Sequence, residues 1–408
     1  MNHSDNSHIY SPLDQTASHI RLVHLKPCSN GIDISCSLQI ADLEGGECKY
    51  EALSYEWGDS AVSRSILLNG NKIQIRENLW WALFYLRRPE EKDRVLWIDA
   101  LCIDQSNDKE RNHQVGLMGR IYSRAQRVIA WLGCDGEDDL REAIYEAQGF
   151  KSWYEWTQER IDAAQKPRTD SSTDITQRHY YTGSECGWVA WEKTCNLSYW
   201  NRLWIIQELI LGRRLLLKSG HTETDWDIVR LLFDDAYSYR DSEDALSARG
   251  LGFAYLLPWA SDAVKKTLPL QVNQRRSRMH EIYIGENTTL VGQFLLYRTF
   301  ECADIKDRIF GLLGISPQCC RESIVVDYST SNTDLALAVI GHHQERHPHF
   351  KATGETLQIN TRSFIKYLEC ECDALRIFEA MGCVPVPMYQ GKGVGFVSSN
   401  SDRLLVGH

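Results

Sequence analysis

The chain has 408 residues, a formal net charge of −10 and 43% hydrophobic residues, enough apolar material for two or three cores. The acidic balance, interrupted by no basic run, argues against nucleic-acid binding as the main task. Met1 to Thr16 is polar and lacks a signal-peptide pattern, and no apolar stretch of about 18 residues appears, so a cytoplasmic protein without a membrane-spanning segment is expected.

Taken in order, alternation predicts strands over Ile20–Leu25 and Ile34–Ile40, with Asn30-Gly31 as a turn between them. Tyr50–Tyr55 reads as a further strand, broken by Trp57-Gly58-Asp59. Asn69-Gly70 between Ile66–Leu68 and Lys72–Ile75 is the strongest hairpin signal in the chain. Asn78 is placed to cap a helix over Leu79–Arg88, which Pro89 ends. Val95–Ile98, a helix over Arg111–Ala125 and Val128–Leu132 then make a strand-helix-strand unit of parallel type. From Cys134 to Leu197 the pattern decays into acidic and Ser/Thr-rich sequence, read as a largely helical insertion with a mobile loop near 166–180. The α/β rhythm resumes at Leu203–Leu211, with Gly212 as a left-handed helix stop before the strand Leu215–Leu217. Residues 226–345 read as mainly helical, and the last sixty-odd residues show no period.

Glu208 stands out because apolar side chains surround it on every face of its helix, and a buried glutamate is either paired or employed. Arg202, Arg124 and Arg213 are the cations available to pair with it. Trp204 lies one turn earlier on the same face. Asp99 and Asp104 follow a strand end, where a carboxylate serves a ligand or caps the next helix. The thirteen cysteines are scattered without a C-x-x-C pair; most read as reduced and buried, and no metal site is predicted. His343 and His347 share a helical face beside Pro348 and His349, where solvent exposure is the expected state.

Four ordered blocks carry a resemblance. They are Tyr50-Glu-Ala-Leu-Ser-Tyr-Glu-Trp-Gly-Asp59; Leu96-Trp-Ile-Asp-Ala-Leu-Cys-Ile-Asp-Gln105 with Glu110-Arg111; Met118 through Tyr122-Ser-Arg-Ala125 to Trp131-Leu-Gly133; and Tyr199-Trp-Asn-Arg-Leu-Trp204 through Glu208. Together they resemble the fungal heterokaryon-incompatibility (HET) domain family, and Ala303–Gly314 with Asp327-Tyr-Ser329 resembles the segment that follows that domain. Asp104 stands where the family usually carries asparagine. The resemblance implies a self/non-self recognition protein that triggers regulated cell death. Its implied partners are copies of itself on activation and an NLR-like or allelic incompatibility partner.

The same segments are similar to Toll/interleukin-1 receptor (TIR) domains. That likeness implies a flavodoxin-style, mainly parallel sheet flanked by helices, with an inserted segment and a mainly helical C-terminal extension. The expected organisation is a polar tail and strand lead-in over 1–49 and the HET domain over 50–220, with its insertion at about 134–197. A helical extension over 221–345 and an irregular tail over 346–408 complete it. In TIR domains that cleave NAD, the glutamate of the tryptophan-and-glutamate helix is catalytic. Carried over, Glu208 takes that role, and Ser54, Trp57, Gly58 and Asp59 line the mouth for NAD, with Asp99, Asp104 and Trp204 as further binding residues. NAD would be a substrate, and no cofactor is expected to be bound permanently. The competing reading, a non-catalytic assembly module, stays open.

Overall fold

A computed structural model describes residues 9–27, 33–46, 48–89, 92–149, 185–230, 268–278, 289–297, 299–347, 349–352, 355–358, 383–387 and 394–398. The chain forms two compact units, one of residues 1–103 with 121–277, the other of residues 104–120 with 278–408.

The first unit is built on a nine-stranded mixed sheet. Its strands are β1 (His19–Leu25), β2 (Ser35–Asp42), β3 (Glu51–Tyr55), β4 (Ser63–Leu68), β5 (Asn71–Arg76), β6 (Arg94–Trp97), β7 (Val128–Trp131), β8 (Leu215–Ser219) and β9 (Thr222–Asp225), in the spatial order β5-β4-β2-β1-β6-β3-β7-β8-β9. The α/β class is as the sequence predicts, but the sheet is not mainly parallel. Four of its eight strand pairings are antiparallel: β1 with β2 and β6, β4 with β5, and β8 with β9. For β4–β5 and β8–β9 the reason is connection length, since strands joined by tight turns can only return alongside. Asn69 and Gly70 both adopt positive φ in the β4–β5 turn, as the hairpin signal requires, and Gly220 does so between β8 and β9. The central run β6-β3-β7-β8 is parallel throughout.

β3 is buried along its whole length, which leaves Glu51 in need of partners. Arg94 Nε and Nη2 reach its two oxygens at 2.5 and 3.1 Å, and Arg127 Nε joins them. Burial alone would raise the Glu51 pKa, but the two arginines outweigh it and hold the carboxylate below its ordinary value.

Helices α1 (Glu77–Leu86), α2 (Asp99–Cys102) and α3 (Asp108–Arg124) precede β7; residues 137–149 (α4) and Glu185–Cys195 (α5) follow it. The loop expected near 166–180 lies outside the described residues. α6 (Ile205–Leu211) leads into β8, and α7 (Trp226–Val229) and α8 (Leu268–Arg278) come later. Two local expectations are corrected. Asn78 does not cap α1 but sits in its first turn, where its amide accepts from Trp131 Nε1 at 2.8 Å and donates to the Glu56 carbonyl at 2.6 Å. Gly212 ends α6 without a left-handed φ (−59°); glycine is needed there for space, because a Cβ would meet Val128 Cγ2 at 2.6 Å.

The second unit contains α9 (Leu290–Tyr297), α10 (Asp307–Leu313), α11 (Gln318–Ser323) and α12 (Asn332–Arg346). Ser331 caps α12, its hydroxyl accepting from the Asp334 amide at 3.1 Å. Two short antiparallel hairpins follow, His349–Ala352 with Glu355–Gln358 and Cys383–Pro387 with Val394–Ser398. Among the described residues no helix is long and apolar enough to cross a membrane.

Candidate functional site

Chemistry-bearing side chains gather where parallel strands β3 and β6 end, the edge at which open α/β sheets place ligands. Alternation along β3 turns Ser54 to one face and Leu53 and Tyr55 to the other. Ser54 is fully buried, and its hydroxyl shares a 2.7 Å hydrogen bond with that of Tyr199. Tyr122 donates to the Leu53 carbonyl at 3.0 Å, and Arg202 Nη1 donates to the carbonyl of Tyr55.

The loop after β3 is pinned at successive positions. Ser198 Oγ donates to Glu56 Oε2 at 2.6 Å, and Trp57 Nε1 donates to Asp99 Oδ2 at 2.8 Å. Arg76 donates to the Gly58 carbonyl at 2.8 Å while its guanidinium lies 5.1 Å from the centre of the Trp57 ring. Gly58 has φ +74°, and an added Cβ would lie 3.3 Å from Asn78 Cβ. Asp99 Oδ1 also accepts from the Ala100 amide at 2.7 Å, fixing the start of α2.

Glu208 is set in the middle of α6, whose residues Ile205 to Ile210 are all buried. The chain enters α6 through a 3-10 turn, Ser198–Asn201, and Trp204 occupies the N-cap. At the other end Arg276 Nη1 donates to the carbonyls of Leu209 at 2.6 Å and Gly212 at 2.5 Å, satisfying acceptors the helix leaves open.

Glu208 is only 2% exposed, and among the described residues no donor meets its Oε2. Burial raises its pKa from 4.5 to about 7; the Arg202 charge and the Ser54 and Tyr122 hydroxyls pull it back, while Asp99 pushes it further up. Arg202 forms no direct ion pair with it. The arginine stays charged, since burial is outweighed by Glu208 and Asp99, which hold its pKa above the ordinary value. Burial and the Glu208 charge raise the phenols of Tyr122 and Tyr199, so both remain neutral hydroxyls. The other two arginines considered as partners are engaged elsewhere: Arg124 with Leu43 O and Glu44, Arg213 with the Ser123 carbonyl.

Ser54, Trp57, Asp99 and Glu208 thus belong to one region, connected through Tyr55, Tyr199 and Arg202. Trp204, half-buried, stands at the head of α6. Asp59 is exposed and accepts from the Ala61 amide at 2.8 Å, closing a turn. Asp104 falls in the second unit, where its carboxylate accepts from Ser106 N and Oγ at 3.1 and 2.6 Å. Tyr122, Tyr199 and Arg202 escaped assignment to the site from sequence, although Tyr199 and Arg202 stand in the block just ahead of the Glu208 helix. Chemically, the cluster offers a carboxylate that titrates near neutrality, neutral hydroxyls and a fixed cation.

Residues 50–208 match the family model described as heterokaryon incompatibility protein (HET), and Glu208 is the last residue of that match. Over that segment the chain is similar to the HET family. It is 25% identical over 361 residues to heterokaryon incompatibility protein 6, OR allele, of Neurospora crassa, in an alignment covering 79% of this chain and 51% of that protein. The chain therefore spans about half the length of this curated relative. No solved structure matches it.

Proposed function

We propose that the protein acts in heterokaryon incompatibility, killing cells that carry an incompatible combination, and that the Glu208 cluster is its working site through cleavage of NAD. The carrying observation is the under-satisfied Glu208 carboxylate. A buried acid kept only to hold the fold would be paired and fully hydrogen-bonded; one oxygen without a donor is a cost that a purely structural role leaves unexplained.

Strand order supports a TIR-like reading. Numbering the parallel strands β3, β6, β7, β8 by their appearance in the chain, their spatial order is second, first, third, fourth, which is the flavodoxin-style arrangement. Glu208 lies on the helix between the third and fourth of these strands. In the reaction, the bond between ribose C1′ and the nicotinamide nitrogen breaks, its electron pair neutralising the cationic ring. The oxocarbenium-like ribosyl centre is stabilised by the carboxylate, and water adds at C1′ with loss of a proton, giving ADP-ribose and nicotinamide. The leaving group needs no protonation, and no step calls for a metal.

The 2% exposure of Glu208 favours a second reading, in which the cluster rigidifies an assembly module that kills without catalysis. Access for a nucleotide requires the residues covering Glu208 to move. Expression of wild type and Glu208→Gln in fungal hyphae separates the two. Loss of killing by a Glu208→Gln protein that accumulates to wild-type levels supports catalysis, whereas undiminished killing removes it and leaves the assembly reading.

A further inference from the structure

Far along the sequence from that cluster, the second unit brings together Cys319 and Cys320 of α11 with His342 of α12 and His347, the residue that ends α12. One ligand atom from each of the four lies within 4.8 Å of all the others. His347 Nε2 stands 3.4 Å from Cys319 Sγ and 3.3 Å from Cys320 Sγ. The rings of His342 and His347 meet edge-on with centroids 5.4 Å apart. His342 Nε2 is buried, and among the described residues nothing hydrogen-bonds to it.

These spacings have a metal's dimensions. With Zn–S near 2.3 Å and Zn–N near 2.0–2.1 Å, a regular tetrahedron separates a sulfur from a nitrogen by about 3.5 Å, and a nitrogen from a nitrogen by about 3.3 Å. The two measured sulfur–nitrogen separations already fall there. The remaining ligand atoms, at most 4.8 Å apart, need to close by up to about 1.5 Å. Two thiolates and two imidazoles in a tetrahedron suit zinc above the oxygen-seeking cations.

We propose that Cys319, Cys320, His342 and His347 form a closed structural zinc site that ties α11 to the C-terminal end of α12. Binding releases the two thiol protons to solvent and supplies His342 Nε2 with the partner it lacks. Four protein ligands leave no open position, so the site is structural and takes no part in catalysis. Adjacent cysteines do not follow the spacing of known zinc motifs. They serve here because they sit in the first turn of a short helix packed on the end of another, and because the chain leaves helical geometry at His347, with φ −129° and ψ 43°. The solvent exposure expected of His343 and His347 is not found: His343 is buried and His347 half-buried; the proposal also departs from the expectation that no metal site exists.

The 408-residue protein purified under reducing conditions from zinc-supplemented cells is expected to carry about one zinc per chain by elemental analysis. The double variant Cys319→Ser/Cys320→Ser is expected to hold at least about tenfold less, and Cys302→Ser, in the same unit but outside the cluster, to keep it all. A ligand variant that fails to fold is bypassed with wild type alone. Zinc is withdrawn with a chelator and cobalt(II) added, which must give the intense visible bands and sulfur-to-metal charge transfer of a tetrahedral thiolate site. Overturning results are wild type without zinc and without that cobalt spectrum, a folded double variant with undiminished zinc, or a mass showing Cys319 and Cys320 joined as a disulfide in the purified protein.

Discussion

Replacing Glu208 by glutamine removes the charge while keeping the shape, and the structure states what that does to stability. The folded pKa of Glu208 is raised from 4.5 to about 7, chiefly by burial. Between those values the native state holds a proton that the unfolded chain has already lost. The stabilisation this confers is complete below pH 4.5 and disappears as pH rises to about 7, an amount of about 3 kcal/mol. Glutamine cannot ionise, so Glu208→Gln escapes the loss. The variant should gain on wild type steadily across that window and by pH 8 be the more stable by up to about 3 kcal/mol. Thermal unfolding of both proteins from pH 4.5 to 8 reads this directly, since about 1 kcal/mol moves the midpoint by roughly 2–4 °C in a domain of this size. A gap that stays constant with pH would refute the reasoning. So would a gap of opposite trend, which would mean that Arg202 holds Glu208 ionised well below pH 4.5.

Two further outcomes follow from the same unit. Arg94→Met leaves Glu51 short of its main buried partner and should cost about 3–5 kcal/mol at pH 7 in thermal unfolding. Because the folded Glu51 pKa is depressed, that penalty should be present above pH 4.5 and shrink as pH falls through the folded value; a pH-independent loss would contradict it. Gly58→Ala forces a side chain into positive φ against Asn78 and should cost about 1–2 kcal/mol, read as a lowered unfolding midpoint; an unchanged midpoint would show that the loop relaxes without strain.

What the sequence made legible was local. The apolar runs of β3, β6 and β7, the Asn69-Gly70 turn and the buried Glu208 helix announce themselves through period and composition within a few residues. Strand direction at the sheet edges did not, because alternation is the same in parallel and antiparallel strands. Gly212 and Asn78 each had an obvious local use that tertiary contacts override: close approach of Val128 for one, a bridge between Trp131 and Glu56 for the other. Arg202 was among the cations the sequence offered to Glu208, but Ser54, Tyr122 and Asp99 reach Glu208's surroundings from separate segments, so only the folded chain connects them. The cysteine–histidine cluster was hidden for the same reason, its two halves being separated by the loop between α11 and α12.

Nicotinamide release by the purified 408-residue protein incubated with NAD tests the proposed cleavage most directly. Wild type should release nicotinamide, and folded Glu208→Gln should fall to the level of a protein-free control. Equal release from both proteins would contradict it.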